Sequence, residues 1–441
     1  MTRAGDRLAL VLFTDDDSSA TMLNPADRPT RQRVAATAAV VLAFLIPAAV
    51  LIASGIERTA AAADQNEYHL PTIRQFARQW PAVDLSSYPA AMTPGYHLLM
   101  TAVVKLGGDV GSMRWATLLI TAGLVGTLAW AASGRRMGTW DVVLLCLPFA
   151  WSQYILPSGV YVVPHTLSWW GLLLVLVLAI DCRWSGRSAV VGGILLSATV
   201  MVRQIYIWAA APLVAAAMTA APSGGGGRAS AFKRALIAGL CCVPAAALLF
   251  YFYKLWGSLA PSSQPWAKPA QGVNLAAITM ILATFGLLAP LAIARLPVGP
   301  KQWLAALAGV AVGLVHSLIG PTTYSFADGR WSGLWNLAAL LGTAGERSVL
   351  ITILAGLGGG CVGLLLAMCR PWFVWGAAIA GFIASNAAVN LAWPRYYEPM
   401  VLMTCVLIVR DQGGTRTSHR VARGALCLMQ AGLTVWAFRN G

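Results

Sequence analysis

The sequence predicts an all-α polytopic membrane protein, a bundle of about twelve or thirteen transmembrane helices with a large first extracytoplasmic loop. Three observations carry this. Of 441 residues, 58% are hydrophobic and only 11% charged, whereas a soluble globular chain devotes about a quarter of its residues to charge. The few charges are spaced apart: none occurs from Val142 to Ile180, Val34 to Ile56, Trp115 to Gly134, Gln204 to Gly227, Ala235 to Tyr253, Pro269 to Ala294, Gln302 to Ala327, Ser348 to Cys369 or Pro371 to Pro394. Each such run holds at least the roughly 20 residues that cross a bilayer at about 1.5 Å per residue. Third, the basic residues collect between alternate runs, as the positive-inside rule requires, while the acids divide evenly.

Taken in order, Arg3, Arg7, Arg28, Arg31 and Arg33 precede the first span and place residues 1–33 in the cytoplasm as a disordered tail that includes Asp15, Asp16 and Asp17. Leu8 to Phe13 is too short for the apolar core of a signal peptide, and Met22 is an alternative start. From residue 34 to 438 the chain reads as one transmembrane domain, beginning with a span at 34–54. The polar stretch 55–113 is the first outer loop; within it 94–106 is apolar but too short to span, and is expected to lie at the interface or re-enter. Spans follow near 114–133, 141–157 and 165–180, ending inside at Arg135, Arg136, Arg183 and Arg187. The run 188–221 is too long for one span and is split by Arg203 and Gln204 at an outer turn, returning at the Gly224 to Gly227 linker. Further spans are expected near 235–256, 275–294, 302–320, 348–369, 372–390, 399–409 and 421–438, with outer loops near 158–164, 257–274, 321–347 and 391–398.

Several chemistries find no support. The eight cysteines form no C-x-x-C pair, and the histidines have no metal-ligand spacing. No metal site is assigned, and no cofactor is called for, although a divalent cation is compatible with the chemistry below. The net charge of +15 forms no dense basic tract, so nucleic acid is not an expected partner. Gly224 to Gly227 follows no strand and lacks the Lys-Ser/Thr of a phosphate loop.

The unusual polar residues gather at the outer face. Asp64 and Glu67, three apart, share a face if that piece is helical, and either carboxylate could serve as general base on a sugar hydroxyl; two solvated loop acids are the plainer alternative. Arg203 interrupts an apolar stretch, where an arginine costs several kcal/mol unless it faces a cavity or partner, and its fork of donors suits phosphate. Arg330 beside Asp328, and Arg395 in Trp393-Pro-Arg-Tyr-Tyr-Glu398, bring further cations to the same face, with structural pairing of Arg330 to Asp328 and of Arg395 to Glu398 as the alternative. Three arginines, an acid pair and aromatics fit an enzyme acting on a lipid-linked phosphate that carries a sugar.

At this point the residues resemble a known family, the multi-spanning GT-C glycosyltransferases, and within it the dolichyl-phosphate-glucose-dependent alpha-1,2-glucosyltransferases. Asp64 to Phe76 (DQNEYHLPTIRQF), Thr93-Pro-Gly-Tyr96, Leu147-Pro-Phe149 through Tyr154, Arg203-Gln204 with Ile207-Trp208, Ala327-Asp-Gly-Arg330, and Arg395-Tyr396 with Pro399 are similar, in order, to that family's segments. Two positions depart: Gln65 follows Asp64 where the family has adjacent acids, and Ile205-Tyr206 stands where it has Thr-Asn. The resemblance implies a GT-C-type bundle and an inverting transfer of a hexose, glucose in that family, from a polyprenyl-phosphate donor to a glycan or glycolipid acceptor of the cell envelope. It implies a catalytic carboxylate in the first outer loop, Asp64 first and Glu67 second, with Arg203, Arg330 and Arg395 toward the donor phosphate. His69, Tyr96, Gln204, Asp328 and Tyr396 become substrate-binding candidates. Composition suggests a bacterial inner (plasma) membrane, with the active site on its extracytoplasmic side. A transporter or flippase for lipid-linked sugars is the rival reading.

Overall fold

The computed structural model describes residues 30–57, 59–133, 137–181, 184–220, 228–261, 272–294, 296, 298–412 and 417–440. Most of the expected N-terminal tail, the basic residues Arg135, Arg136 and Arg183, the Gly224 to Gly227 linker and most of the outer loop at 257–274 lie outside them. Within the described residues the chain is helical, with two isolated β-bridges, Ser325 to Arg330 and Ala344 to Arg347, and no strand.

Seven helices are long and apolar enough to cross a membrane: Thr30–Ser54, Val110–Ser133, Ala229–Trp256, Leu275–Ile293, Pro300–Ile319, Val349–Met368 and Thr417–Arg439. This is an integral membrane protein. The other expected spans are shorter: Thr139–Ala150, His165–Asp181, Gly186–Val202, Gln204–Thr219, Trp372–Ala387 and the twelve-residue, wholly buried Glu398–Val409. Together the seven long helices and these six shorter ones supply thirteen helical segments where twelve or thirteen spans are expected. Local chemistry explains the shortening. The Ser152 hydroxyl accepts from the amides of Tyr154 (3.1 Å) and Ile155 (3.4 Å), which ends one helix at Ala150 and starts another, Ile155–Val160. Such side-chain bonding competes with the helical ladder, and hydropathy averaged over the segment does not see it. Arg203 breaks the run 186–219 where the sequence placed the break, in extended conformation (φ −157°, ψ 114°).

Helix–helix contact is closest where glycine removes the side chain. Pro300–Ile319, Val349–Met368 and Leu275–Ile293 meet so tightly that a Cβ on Gly309 would overlap the Gly359 carbonyl, and one on Gly358 would overlap that of Leu282. Small residues at such crossings let backbones approach within a bilayer, where no hydrophobic force drives helices together. The expected interfacial segment is helix Gly95–Lys105. It turns Tyr96, His97, Met100 and Thr101 inward and is seated against the bundle at Gly95, where a Cβ would lie 2.6 Å from the carbonyl oxygen of Met201.

The two ends of the bundle differ in chemistry. Helix His165–Asp181 shows both: Asp181 pairs with the buried Arg410, which also donates to the Ala131 carbonyl at 3.1 Å. At that same end the buried Asp141 accepts from Arg420 at 2.8 Å, and Arg33 lies 4.2 Å over the Trp130 ring. At the other end His165 meets the residues that follow.

Candidate active site

Helix Ala60–Asp64 runs directly into a π-helical turn, Gln65–His69, and then into Leu70–Gln79. The wider turn separates the two acids. Asp64 faces the bundle, while Glu67 is exposed, so the expectation that they share a face is corrected: it assumed α-helical spacing, and the turn is π. Turns of this kind inside helices recur at functional sites.

Asp64 Oδ2 accepts from Arg395 Nη1 at 2.6 Å across 331 residues of chain, with both side chains about one-fifth exposed (19% and 18%). Arg395 sits in the turn Pro394–Tyr396, its guanidinium 4.1 Å over the Trp393 ring and 5.2 Å from that of Tyr396, whose hydroxyl accepts from Nη2 at 3.4 Å. Arg203, 8% exposed, covers the Tyr396 ring at 4.3 Å, and its Nη1 reaches His165 Nδ1 at 3.2 Å. The His165 and Tyr396 rings meet edge-on, centroids 6.2 Å apart. Two guanidinium groups, one carboxylate and an aromatic ring between them leave one uncompensated positive charge in a partly dehydrated site.

The turn that carries Arg203 is fixed by Gln204. Its amide nitrogen donates to the carbonyls of Ala91 (3.1 Å) and Leu259 (2.8 Å), and its oxygen accepts from the Thr93 amide at 3.1 Å. The Thr93 hydroxyl donates to the Val200 carbonyl at 2.6 Å. The side chain proposed from sequence as a substrate contact thus staples the segments at Ala91–Thr93 and Leu259 to the helix break. Tyr96 is likewise fully buried, its hydroxyl 2.8 Å from Thr117 Oγ1. His69 is buried beneath the cluster with Nδ1 3.0 Å from His97 Nε2. Burial, reinforced by the nearby charges of Arg395 and Arg203, pushes the His69 imidazole down from its usual 6.5 to about 3, and burial next to His69 drives His97 the same way.

Arg330 and Asp328 pair with each other at 3.1 Å, and Arg330 Nε donates to the Thr323 carbonyl at 2.8 Å. Their loop reaches the cluster through Trp331, whose ring is 5.0 Å from Trp393, and through the Ala392 amide, which donates to the Gly329 carbonyl at 3.3 Å. Arg395, by contrast, pairs with Asp64, not with Glu398. The latter is buried and accepts from the Ser152 hydroxyl at 2.5 Å.

Three polar residues were not assigned from sequence. Glu398 opens an apolar run as a buried acid. His165 follows Pro164 at the N-terminal end of an apolar helix. Arg114 begins another such helix, donating to Gln65 Oε1 at 3.1 Å and pairing with Glu57, whose carboxyl is held below its usual value chiefly by that hydrogen bond. Gln65 Oε1 also accepts from the Val162 amide at 3.0 Å, so this side chain holds the loop in place. A separate cavity of about 490 Å³, lined by Ile319, Pro321, Thr322, Thr323, Thr343, Glu346 and Arg347, shares no residue with the cluster.

No protein-family model matches this sequence, and no curated protein matches it. Among solved structures, the crystal structure of ArnT from Cupriavidus metallidurans in the apo state is similar over 86% of this chain and 78% of that one, at 12% identity. The TM-score of 0.34 is too low for that likeness to bear on fold or chemistry.

Proposed function

We propose that the protein is a membrane glycosyltransferase of GT-C type. It takes a hexose from a polyprenyl-phosphate-linked donor and passes it, with inversion, to a hydroxyl of a glycan or lipid-linked acceptor at the extracytoplasmic face. One observation carries this reading: Asp64, Arg203, Arg395 and Tyr396, from three distant parts of the chain, form a single half-buried cluster with net positive charge. A phosphate is the kind of ligand that such a cluster lacks.

In the proposed reaction the donor phosphodiester lies against Arg203 and Arg395, with the hexose beside the rings of Tyr396 and Trp393. The acceptor hydroxyl gives its proton to the Asp64 oxygen not taken by Arg395, and its oxygen attacks the anomeric carbon from the face opposite the phosphate. The bond from that carbon to the phosphate oxygen breaks, its electron pair stays on the phosphate, and polyprenyl phosphate leaves with a second negative charge. The guanidinium groups stabilise that charge as it forms, in a site where solvent screens it poorly. Arg330 acts through its loop, which buttresses Trp393.

The test is transfer from radiolabelled polyprenyl-phosphate hexose by protein purified in detergent. Asp64→Asn is expected to lower transfer at least about 100-fold while retaining donor binding, as loss of a general base does. Glu67→Gln, on the exposed side of the turn, should change it less than about threefold. Equal activity of Asp64→Asn and the unmodified protein would refute the assignment. Lipid translocation that survives in Asp64→Asn, with no transfer by any form, would favour the flippase instead.

A further inference from the structure

His165 is not among the residues that sequence motifs single out, yet its environment fixes its protonation by hydrogen-bond logic alone. An arginine can only donate. Arg203 Nη1 lies 3.2 Å from His165 Nδ1, so Nδ1 must offer its lone pair and the ring proton resides on Nε2. That Nε2–H is buried and has no acceptor among the described residues. Arg395 Nε and Trp393 Nε1, in the same cluster, are two more buried donors with no acceptor among the described residues. Buried donors are nearly always satisfied, and one left unpaired carries the full cost of its lost hydration. Three in one cluster that already has surplus positive charge indicate an acceptor that arrives from outside, anionic and rich in oxygen.

We infer that His165, held by Arg203 as the Nε2–H tautomer, is a direct hydrogen-bond donor to the phosphate of an isoprenoid phosphate, alongside Arg203 and Arg395. The inference rests on the transferase reading for the identity of the lipid, but not for the existence of the anion site. The neutral ring adds a donor without adding charge. It thereby strengthens the grip on the phosphate most when the leaving group gains its second charge, and it leaves the charge balance of the cluster unchanged. His165 also edges the Tyr396 ring, so the same contact aligns the ring on which Arg203 rests.

Two substitutions separate the two ring nitrogens. His165→Asn puts an amide oxygen near the Nδ1 position, so it preserves the acceptor for Arg203 and deletes the outer donor. His165→Gln puts an amide nitrogen near Nε2 and preserves the outer donor. Binding of farnesyl phosphate, inorganic phosphate and farnesol is measured by calorimetry on detergent-purified full-length protein, with thermal midpoints recorded to confirm folding. Farnesyl phosphate should bind about tenfold more weakly to His165→Asn and within about threefold of normal to His165→Gln, with farnesol binding alike in all three. Inorganic phosphate following the same order, at lower affinity, shows that the headgroup alone is recognised; inorganic phosphate without effect shows that the isoprenoid must seat it. Farnesyl phosphate binding equally well to His165→Asn and the unmodified protein, or no better than farnesol, overturns the inference. The two proposals fail separately. Absence of sugar transfer by the unmodified protein sinks the transferase while the binding order can stand, and equal farnesyl phosphate binding by His165→Asn and the unmodified protein sinks the His165 contact while Asp64→Asn can still be inactive.

Discussion

The His69–His97 pair sets a condition on the stability of the outer unit. Both rings are buried among Phe76, Tyr88 and Tyr96, with centroids of these rings 5.9–6.3 Å from that of His97, and a proton added to either would be an unpaired buried charge. In the unfolded chain each titrates near 6.5, whereas folded His69 does so near 3. The unfolded state therefore binds more protons between these values. The stabilisation is complete above pH 6.5 and is lost progressively as pH falls below it, by about 1.4 kcal/mol per pH unit for each histidine. Thermal unfolding in detergent should thus show a plateau above neutrality and a falling midpoint from about pH 6.5 downward. His69→Gln should make that slope shallower. A slope that is unaltered by the substitution would assign the acid sensitivity elsewhere.

At the scale of elements, how closely helices can approach was written in the sequence only as composition. The abundant glycines are visible there, but not which of them touch. Gly358 on Val349–Met368 faces the backbone of Leu275–Ile293, whereas Gly376 on Trp372–Ala387 has no atom within 4 Å of a Cβ built on it. Gly358→Ala is expected to destabilise the bundle by about 1–3 kcal/mol through overpacking. Gly376→Ala should be neutral or slightly stabilising, since alanine favours helix by about 1 kcal/mol over glycine. Thermal midpoints of the two variants, compared side by side, check both. The same distinction governs what could be read in advance. Charge-free runs revealed most of the helices, because a bilayer tolerates little else, and the arginine inside an apolar run revealed the break at 203. The turn at Ser152 and the π turn at 65–69 were hidden, because one is made by a single hydroxyl and the other by hydrogen-bond register. The site was legible in its residue types but not in its pairings. Nothing local to Arg395 tells that its partner is Asp64 and not the nearer Glu398, and nothing local to Gln204 tells that backbone groups occupy its whole amide.

Across the whole molecule, the division of chemistry between the two ends of the bundle gives the site its orientation. His165 and Asp181 cap opposite ends of one helix; the first joins the Arg203, Tyr396, Arg395 and Asp64 cluster, and the second joins Arg410. All members of the cluster must therefore face one side of the membrane, and the Arg410, Asp141 and Arg420 pairs must face the other. The distribution of basic residues predicts that the second group faces the cytoplasm. Glu67 and Arg187 are exposed and belong to opposite ends. In a background whose own cysteines have been replaced, Glu67→Cys should react with a membrane-impermeant maleimide added outside intact cells, and Arg187→Cys only after permeabilisation. The reverse pattern would place the cluster in the cytosol and invert the orientation. Labelling of both from the same side would contradict the bundle itself, because a helix rigid enough to hold His165 against Arg203 at one end cannot also bring Asp181, six residues before Arg187, to that same surface.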